Sequence, residues 1–284
     1  MGKRFCRAPR SRSMGGNRMT MGYAVDRRNI LKAAFVGIVL GYLLTKSGGA
    51  LFIGSLFLLT LWAIQRYFKD APERDYVIAL FILGFVLRAL ISVVGHIYNE
   101  ASGNLFHYMG YTGNCIFGDS ATTSVVAQAK VDIWRQKLDP AVFLSYIKLG
   151  HSFHFYICSF FYYLVGKYEL SLKLINAMYG TVSCVFLYLI ARELFDKRVA
   201  RLSYALAMFF PSLVLWSVAN LKEPILILLL SVWTYSLLMI KRRRFDIVHV
   251  LLAALVFLAM RSIRGEMAQL VIMASGVWLF VALR

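Results

Sequence analysis

Apolar residues in this chain fall in long uninterrupted runs separated by short polar stretches, the pattern of helices that cross a lipid bilayer. The runs predict membrane helices over about 30–46, 50–68, 76–97, 170–192, 200–219, 224–240, 247–261 and 266–283. A further run, His151 to Val165, is shorter and crowded with Phe and Tyr. Between residues 98 and 150 the chain is more polar, and there Gly118-Asp119-Ser120 precedes a stretch with Val125, Val126, Ala129, Ile133 and Trp134 at helical spacing. That spacing predicts an amphipathic helix over Ala121 to Lys137, lying along the membrane interface.

Charge decides which runs cross. Residues 1–28 hold eight Lys or Arg against the single acid Asp26, and the positive-inside bias puts such a tail in the cytoplasm. If the first three runs each cross once, Arg66, Lys69 and Arg74 lie inside and residues 98–150 lie outside. The cluster Arg192, Lys197, Arg198, Arg201 and the cluster Lys241 to Arg244 then fall inside only if 151–165 does not cross. The aromatic segment is therefore expected to be a shallow or re-entrant helix on the outer surface. The same parity places the turn Asn220-Leu221-Lys222-Glu223-Pro224 on the outer side, with the 98–150 loop.

Of the 284 residues, 60% are hydrophobic and 16% charged, against about 25% charged in a soluble domain. Composition thus agrees with the run pattern on an integral membrane protein and excludes a disordered chain, a disulfide scaffold and a cytosolic enzyme. The fold class is all-α, a polytopic transmembrane bundle with interfacial helices in one outer loop. It divides into a basic tail (1–28), two extra N-terminal helices (29–75) and a core (76–284). A net charge of +18 in a soluble protein suggests nucleic acid, but its placement in inner loops makes membrane lipids the partner and removes nucleic acid. The four cysteines form no C-x-x-C pair, and two lie within apolar runs.

Chemistry collects on the outer side. Asp119 opens the interfacial helix, where its carboxylate either caps backbone N–H groups or acts as a general base or metal ligand. Glu223 and Lys222 stand at a helix start next to Pro224, a place that favours anions, so Lys222 is a candidate for binding a phosphate. Arg88 interrupts an apolar run at a cost of roughly 2.5–3.5 kcal/mol and needs a partner, either a lipid phosphate or a polar group on a neighbouring helix. Arg261 and Arg264, beside Glu266, can reach an anionic headgroup from an outer helix end. His151 and His154 are three residues apart but lack a third ligand, so metal binding is left open. No phosphate-binding G-x-x-x-x-G-K-[ST], dinucleotide G-x-G-x-x-G, H-E-x-x-H or G-x-S-x-G motif is present.

Residues 76–283 resemble the GT-C superfamily of polytopic glycosyltransferases, in particular bacterial members similar to protein O-mannosyltransferases and the lipid A aminoarabinose transferase. The resemblance rests on Phe117-Gly118-Asp119-Ser120, the aromatic segment ending at Gly166, Leu172 to Gly180, Tyr188 to Phe195, Phe210-Pro211-Ser212 and Leu221-Lys222-Glu223-Pro224. It implies transfer of a sugar from a polyprenyl-phosphate donor to an acceptor on the outer face of a bacterial inner membrane, in cell-envelope polysaccharide synthesis. Asp119 matches the family's loop acid, acting as base or metal ligand. Lys222 and Glu223 match positions that contact the donor phosphate. Ser120 stands where many mannosyltransferases carry a second acid, so the resemblance implies no definite cofactor and leaves a divalent metal open. A non-catalytic carrier or assembly subunit for lipid-linked envelope glycans, using the same Lys222 and Arg88, is the alternative.

Overall fold

The computed structural model describes residues 48–103, 105–108, 111–114, 118–139, 152–242 and 246–283. The basic tail, the helix expected over 30–46 and His151 lie outside these residues. Among the described residues the order is α1 (Gly48–Tyr67), α2 (Arg74–Ala101), β1 (Leu105–Tyr108), β2 (Tyr111–Asn114), α3 (Gly118–Trp134) and α4 (Ser152–Val165). It continues with α5 (Glu169–Leu194), α6 (Lys197–Phe209), α7 (Pro211–Ser217), α8 (Glu223–Arg242), α9 (Ile247–Ile263) and α10 (Gly265–Leu283). The fold is an all-α polytopic bundle, to which the two short strands add one antiparallel hairpin with Leu105 opposite Asn114 and Tyr108 opposite Tyr111.

Three of these helices, α2, α5 and α8, are long and apolar enough to cross a membrane. The run expected as one helix over 200–219 is broken into α6 and α7, which meet at a bend of 52°. Pro211 is the cause. It lacks an N–H and disfavours helical backbone at the preceding residue, and Phe210 is accordingly extended at φ −62°, ψ 121°.

Direction along the helices sorts the loops to two ends. At one end Glu193 of α5 pairs with Arg242 of α8, and Glu73, next to the start of α2, lies 3.3 Å from Lys197 at the start of α6. The basic clusters read from the sequence thus gather at a single end. Burial pushes the Glu73 carboxyl up, but its backbone hydrogen bond and the nearby Lys197 and Arg192 outweigh this and leave it below the usual carboxylate value. Between the two ends α1, α2, α5, α6 and α8 enclose a core of Leu61, Phe68, Phe81, Tyr188, Tyr204 and Met239.

Arg88 sits midway along α2 and is fully buried. Its Nε donates to Ser217 Oγ at 2.9 Å and its Nη1 to the Gly84 carbonyl at 3.2 Å, with Met208 Sδ 3.4 Å away. No acid pairs with it among the described residues. Instead the guanidinium bridges the broken helix, touching α6 through Met208 and the last residue of α7 through Ser217, where helix carbonyls favour a cation. Two glycines make room for it. A Cβ on Gly84 would clash with Met208, and one on Gly180 would lie 2.6 Å from Ser217 Cβ and 3.4 Å from Arg88 Nε. Gly180→Ala therefore overpacks the contact between α5 and α7. A loss of about 1–3 kcal/mol of stability is expected, read as a lower thermal midpoint of the purified protein in detergent, whereas an unchanged midpoint would show that the helices can part without cost.

Candidate active site

The end of the bundle opposite the basic clusters is built from α3, α4 and the turn 218–222 that joins α7 to α8. Helix α3 forms where the heptad-like spacing predicts it, but it does not lie on the surface with a wet face. Ser120, Thr123, Ser124, Gln128 and Lys130 are buried along with Val125, Val126, Ala127 and Val131. The helix is covered by α4, by strand β2, by the turn and by Leu172 and Ile175 of α5, and its buried Ser120, Thr123 and Ser124 take part in hydrogen bonds. Lys130 places its ammonium 3.4 Å from the centre of the Tyr156 ring on α4.

Helix α4 has 14 residues, about 21 Å at 1.5 Å per residue, and both its ends stay at this end of the bundle. His154, near its start, lines the same cavity as Asp119, and α5 starts here four residues beyond Val165. Gly166, at φ +96°, turns the chain between them, a left-handed conformation that suits glycine.

The turn is held from three helices. Asn176 of α5 donates through Nδ2 to the carbonyls of Ala219 at 2.7 Å and Leu221 at 2.9 Å. Ser120 Oγ, on α3, accepts from the backbone N–H of Asn220 at 3.0 Å, and the Asn220 side-chain amide donates to Ser124 Oγ at 3.0 Å. Ser92 of α2 reaches the Val218 carbonyl at 3.4 Å. A buried turn without these partners leaves several peptide groups unpaired, each costing about 1–3 kcal/mol. The network also fixes the register of residues 118–124 against 219–223, a hundred positions apart.

Between them lies a cavity of about 280 Å³ lined by Asp119, Thr122, Thr123, His154, Phe155, Leu221, Lys222 and Glu223. Asp119, Lys222 and Glu223, singled out from the sequence, therefore share one space. The Asp119 side chain is exposed, and its carboxylate makes no hydrogen bond or ion pair with the described residues, so it does not serve as a cap there. Glu223 opens α8 and is half-buried at the positive end of that helix.

The other three predicted phosphate contacts do not reach this space. Arg88 is engaged at the α6–α7 break. Arg261 and Arg264 are exposed at the end of α9, on the cavity side of the bundle, where Ile263 packs on Ile225 and Leu226, but neither lines the cavity. His154, Thr122 and Thr123 do line it and were not placed there by sequence reasoning. His154 was visible only as half of a histidine pair, and nothing local marks a threonine as cavity-lining.

Among the described residues no group of three His, Cys, Asp or Glu side chains lies close enough together to hold a metal ion. Cys158, near His154 and Asn220, is no nucleophile, because burial pushes its thiol up to about 12. What the cavity offers is a carboxylate free to accept a proton, an ammonium, hydroxyls and an imidazole, open to a helix N-terminus.

Residues 152–283, slightly less than half of the chain, match the family model described as dolichyl-phosphate-mannose-protein mannosyltransferase. No curated protein and no solved structure gives a significant match. The matched part contains α4 to α10, hence His154, Lys222 and Glu223, whereas Asp119 precedes it. Its three described helices long and apolar enough to cross a membrane make the chain an integral membrane protein, and residues 152–283 are similar to that mannosyltransferase family.

Proposed function

We propose that the protein transfers a sugar from a polyprenyl-phosphate donor to an acceptor hydroxyl or amine at the outer face of a bacterial inner membrane. The observation that carries this reading is the cavity that Asp119, Lys222 and Glu223 share at one end of a membrane-length helix. The acceptor oxygen or nitrogen forms a bond to the anomeric carbon as the bond from that carbon to the phosphate oxygen breaks. Asp119 takes the acceptor's proton, and polyprenyl phosphate departs with the bonding pair. Charge grows on the leaving phosphate, so a cation placed there lowers the barrier, and Lys222 is that cation. Glu223, with Thr122 and Thr123, faces the hydroxyls of the donor sugar. The donor arrives already activated, which fits a chain with no nucleotide-binding motif.

Incubation of the purified protein with radiolabelled polyprenyl-phosphate sugar tests this. Release of polyprenyl phosphate, with label moving to acceptor or water, is expected. Stoichiometric retention of intact donor without any release would instead identify a carrier of lipid-linked intermediates.

A further inference from the structure

A second and larger cavity, about 570 Å³, lies at the opposite end of the bundle. It is lined by Tyr67 at the end of α1, Asp70, Ala71 and Pro72 in the following turn, Leu189, Arg192 and Glu193 of α5, and Tyr235, Met239 and Arg242 of α8. Its volume falls within the roughly 300–1,000 Å³ typical of small-molecule sites. No part of the proposed transfer reaction uses it.

Its level relative to the first cavity follows from helix geometry. Helix α8 begins at Glu223 in one cavity and reaches the other at Arg242, nineteen residues later. At 1.5 Å per residue that is about 28 Å, close to the roughly 30 Å thickness of a hydrocarbon core. If one cavity is at headgroup level in one leaflet, the other is at headgroup level in the opposite leaflet.

Among the described residues the charges within it sort into one ion pair and two groups of opposite sign that form none. Arg242 is bonded to Glu193. Arg192 lies over the Phe68 ring at 6.0 Å and forms no ion pair within 4 Å among the described residues, although it lies near enough to Glu73 to help hold that carboxyl low. Asp70 is exposed and likewise makes no ion pair with them. Glu73, outside the cavity, is occupied by Lys197 and stands 4.0 Å from Arg201. The rest of the lining is largely aromatic and apolar: Tyr67 and Tyr235 join hydroxyl to hydroxyl at 2.7 Å, and Leu189 and Met239 also line the cavity.

We infer that this cavity holds the zwitterionic headgroup of a phospholipid in the leaflet opposite the transfer site, with its phosphate on Arg192 and its ammonium on Asp70. An anion alone leaves Asp70 facing like charge, and a cation alone does the same to Arg192. A phosphate joined to an ammonium satisfies both, and the tyrosine rings add a face that attracts the cation.

Native mass spectrometry of the full chain, titrated with dioleoyl phosphatidylethanolamine, dioleoyl phosphatidylglycerol or water-soluble glycerophosphoethanolamine, tests the assignment without any readout of sugar transfer. One phosphatidylethanolamine is expected to be retained at least fivefold more tightly than phosphatidylglycerol. Glycerophosphoethanolamine should bind weakly, because it lacks acyl chains to hold it at the membrane surface. Asp70→Asn should abolish the preference between the two lipids, and Arg192→Gln should weaken both by at least tenfold. Equal retention of both lipids by the unaltered protein, unaltered retention by Arg192→Gln, or tight binding of the soluble headgroup would each overturn it.

Discussion

Asp119→Asn is expected to lower the rate of sugar transfer by 10²- to 10⁴-fold, about 2.7–5.5 kcal/mol in barrier, while leaving folding and donor binding intact. The size follows from what a positioned general base contributes. The selectivity follows from the structure: the Asp119 carboxylate is exposed and has no hydrogen-bond or ion-pair partner among the described residues, so an amide of the same shape removes no contact. Only the capacity to accept a proton is lost. Initial rates with labelled donor, alongside the thermal midpoint and donor affinity, check it. A variant that turns over within threefold of the unaltered protein would remove Asp119 from the reaction. One that fails to fold would show that the side chain has a structural partner.

The helices and their order were legible because each long apolar run states its own length. The sharing of a cavity by Asp119 and Lys222 was foreshadowed by parity: counting crossings and keeping Arg192 to Arg201 and Lys241 to Arg244 on one side puts both residues on the other. What was missed has no local signature. The hairpin at 105–114 sits in a short polar stretch where the run pattern is silent. The break at Phe210-Pro211 could be read from Pro211, yet apolar residues on both sides of it hide the bend within one continuous run. The spacing of Val125, Val126, Ala129, Ile133 and Trp134 predicts an amphipathic interfacial helix, whereas Thr123, Ser124, Gln128 and Lys130 of α3 are buried as well. Their burial depends on partners such as Asn220, ninety-six residues away from Ser124, that no window along the chain contains. Arg88 is expected from the sequence to find a lipid phosphate or a polar group on a neighbouring helix, and its partner is the second kind, Ser217 at the end of a broken helix.

The same long-range contacts determine how far the site can be disturbed from a distance. The family match begins at residue 152, so the Lys222 side of the cavity lies within it and the Asp119 side before it, and their alignment depends on the turn 218–222. Asn176, itself buried, holds that turn through two carbonyls, one of them belonging to the residue just before Lys222. Asn176→Leu keeps the branching of the side chain and removes both donors; the Ala219 carbonyl still accepts from the Leu221 N–H, so one buried acceptor, the Leu221 carbonyl, is left unpaired at about 1–3 kcal/mol. A stability loss of about 1–3 kcal/mol is therefore expected, and the protein that remains folded should bind labelled donor at least tenfold more weakly, because Lys222 is no longer held opposite Asp119. The two effects separate experimentally, since affinity is measured per folded molecule well below the thermal midpoint. Lowered stability with unchanged affinity would mean that Ser120 and Ser124 alone keep the turn in register, and unchanged values of both would mean that the turn does not depend on α5.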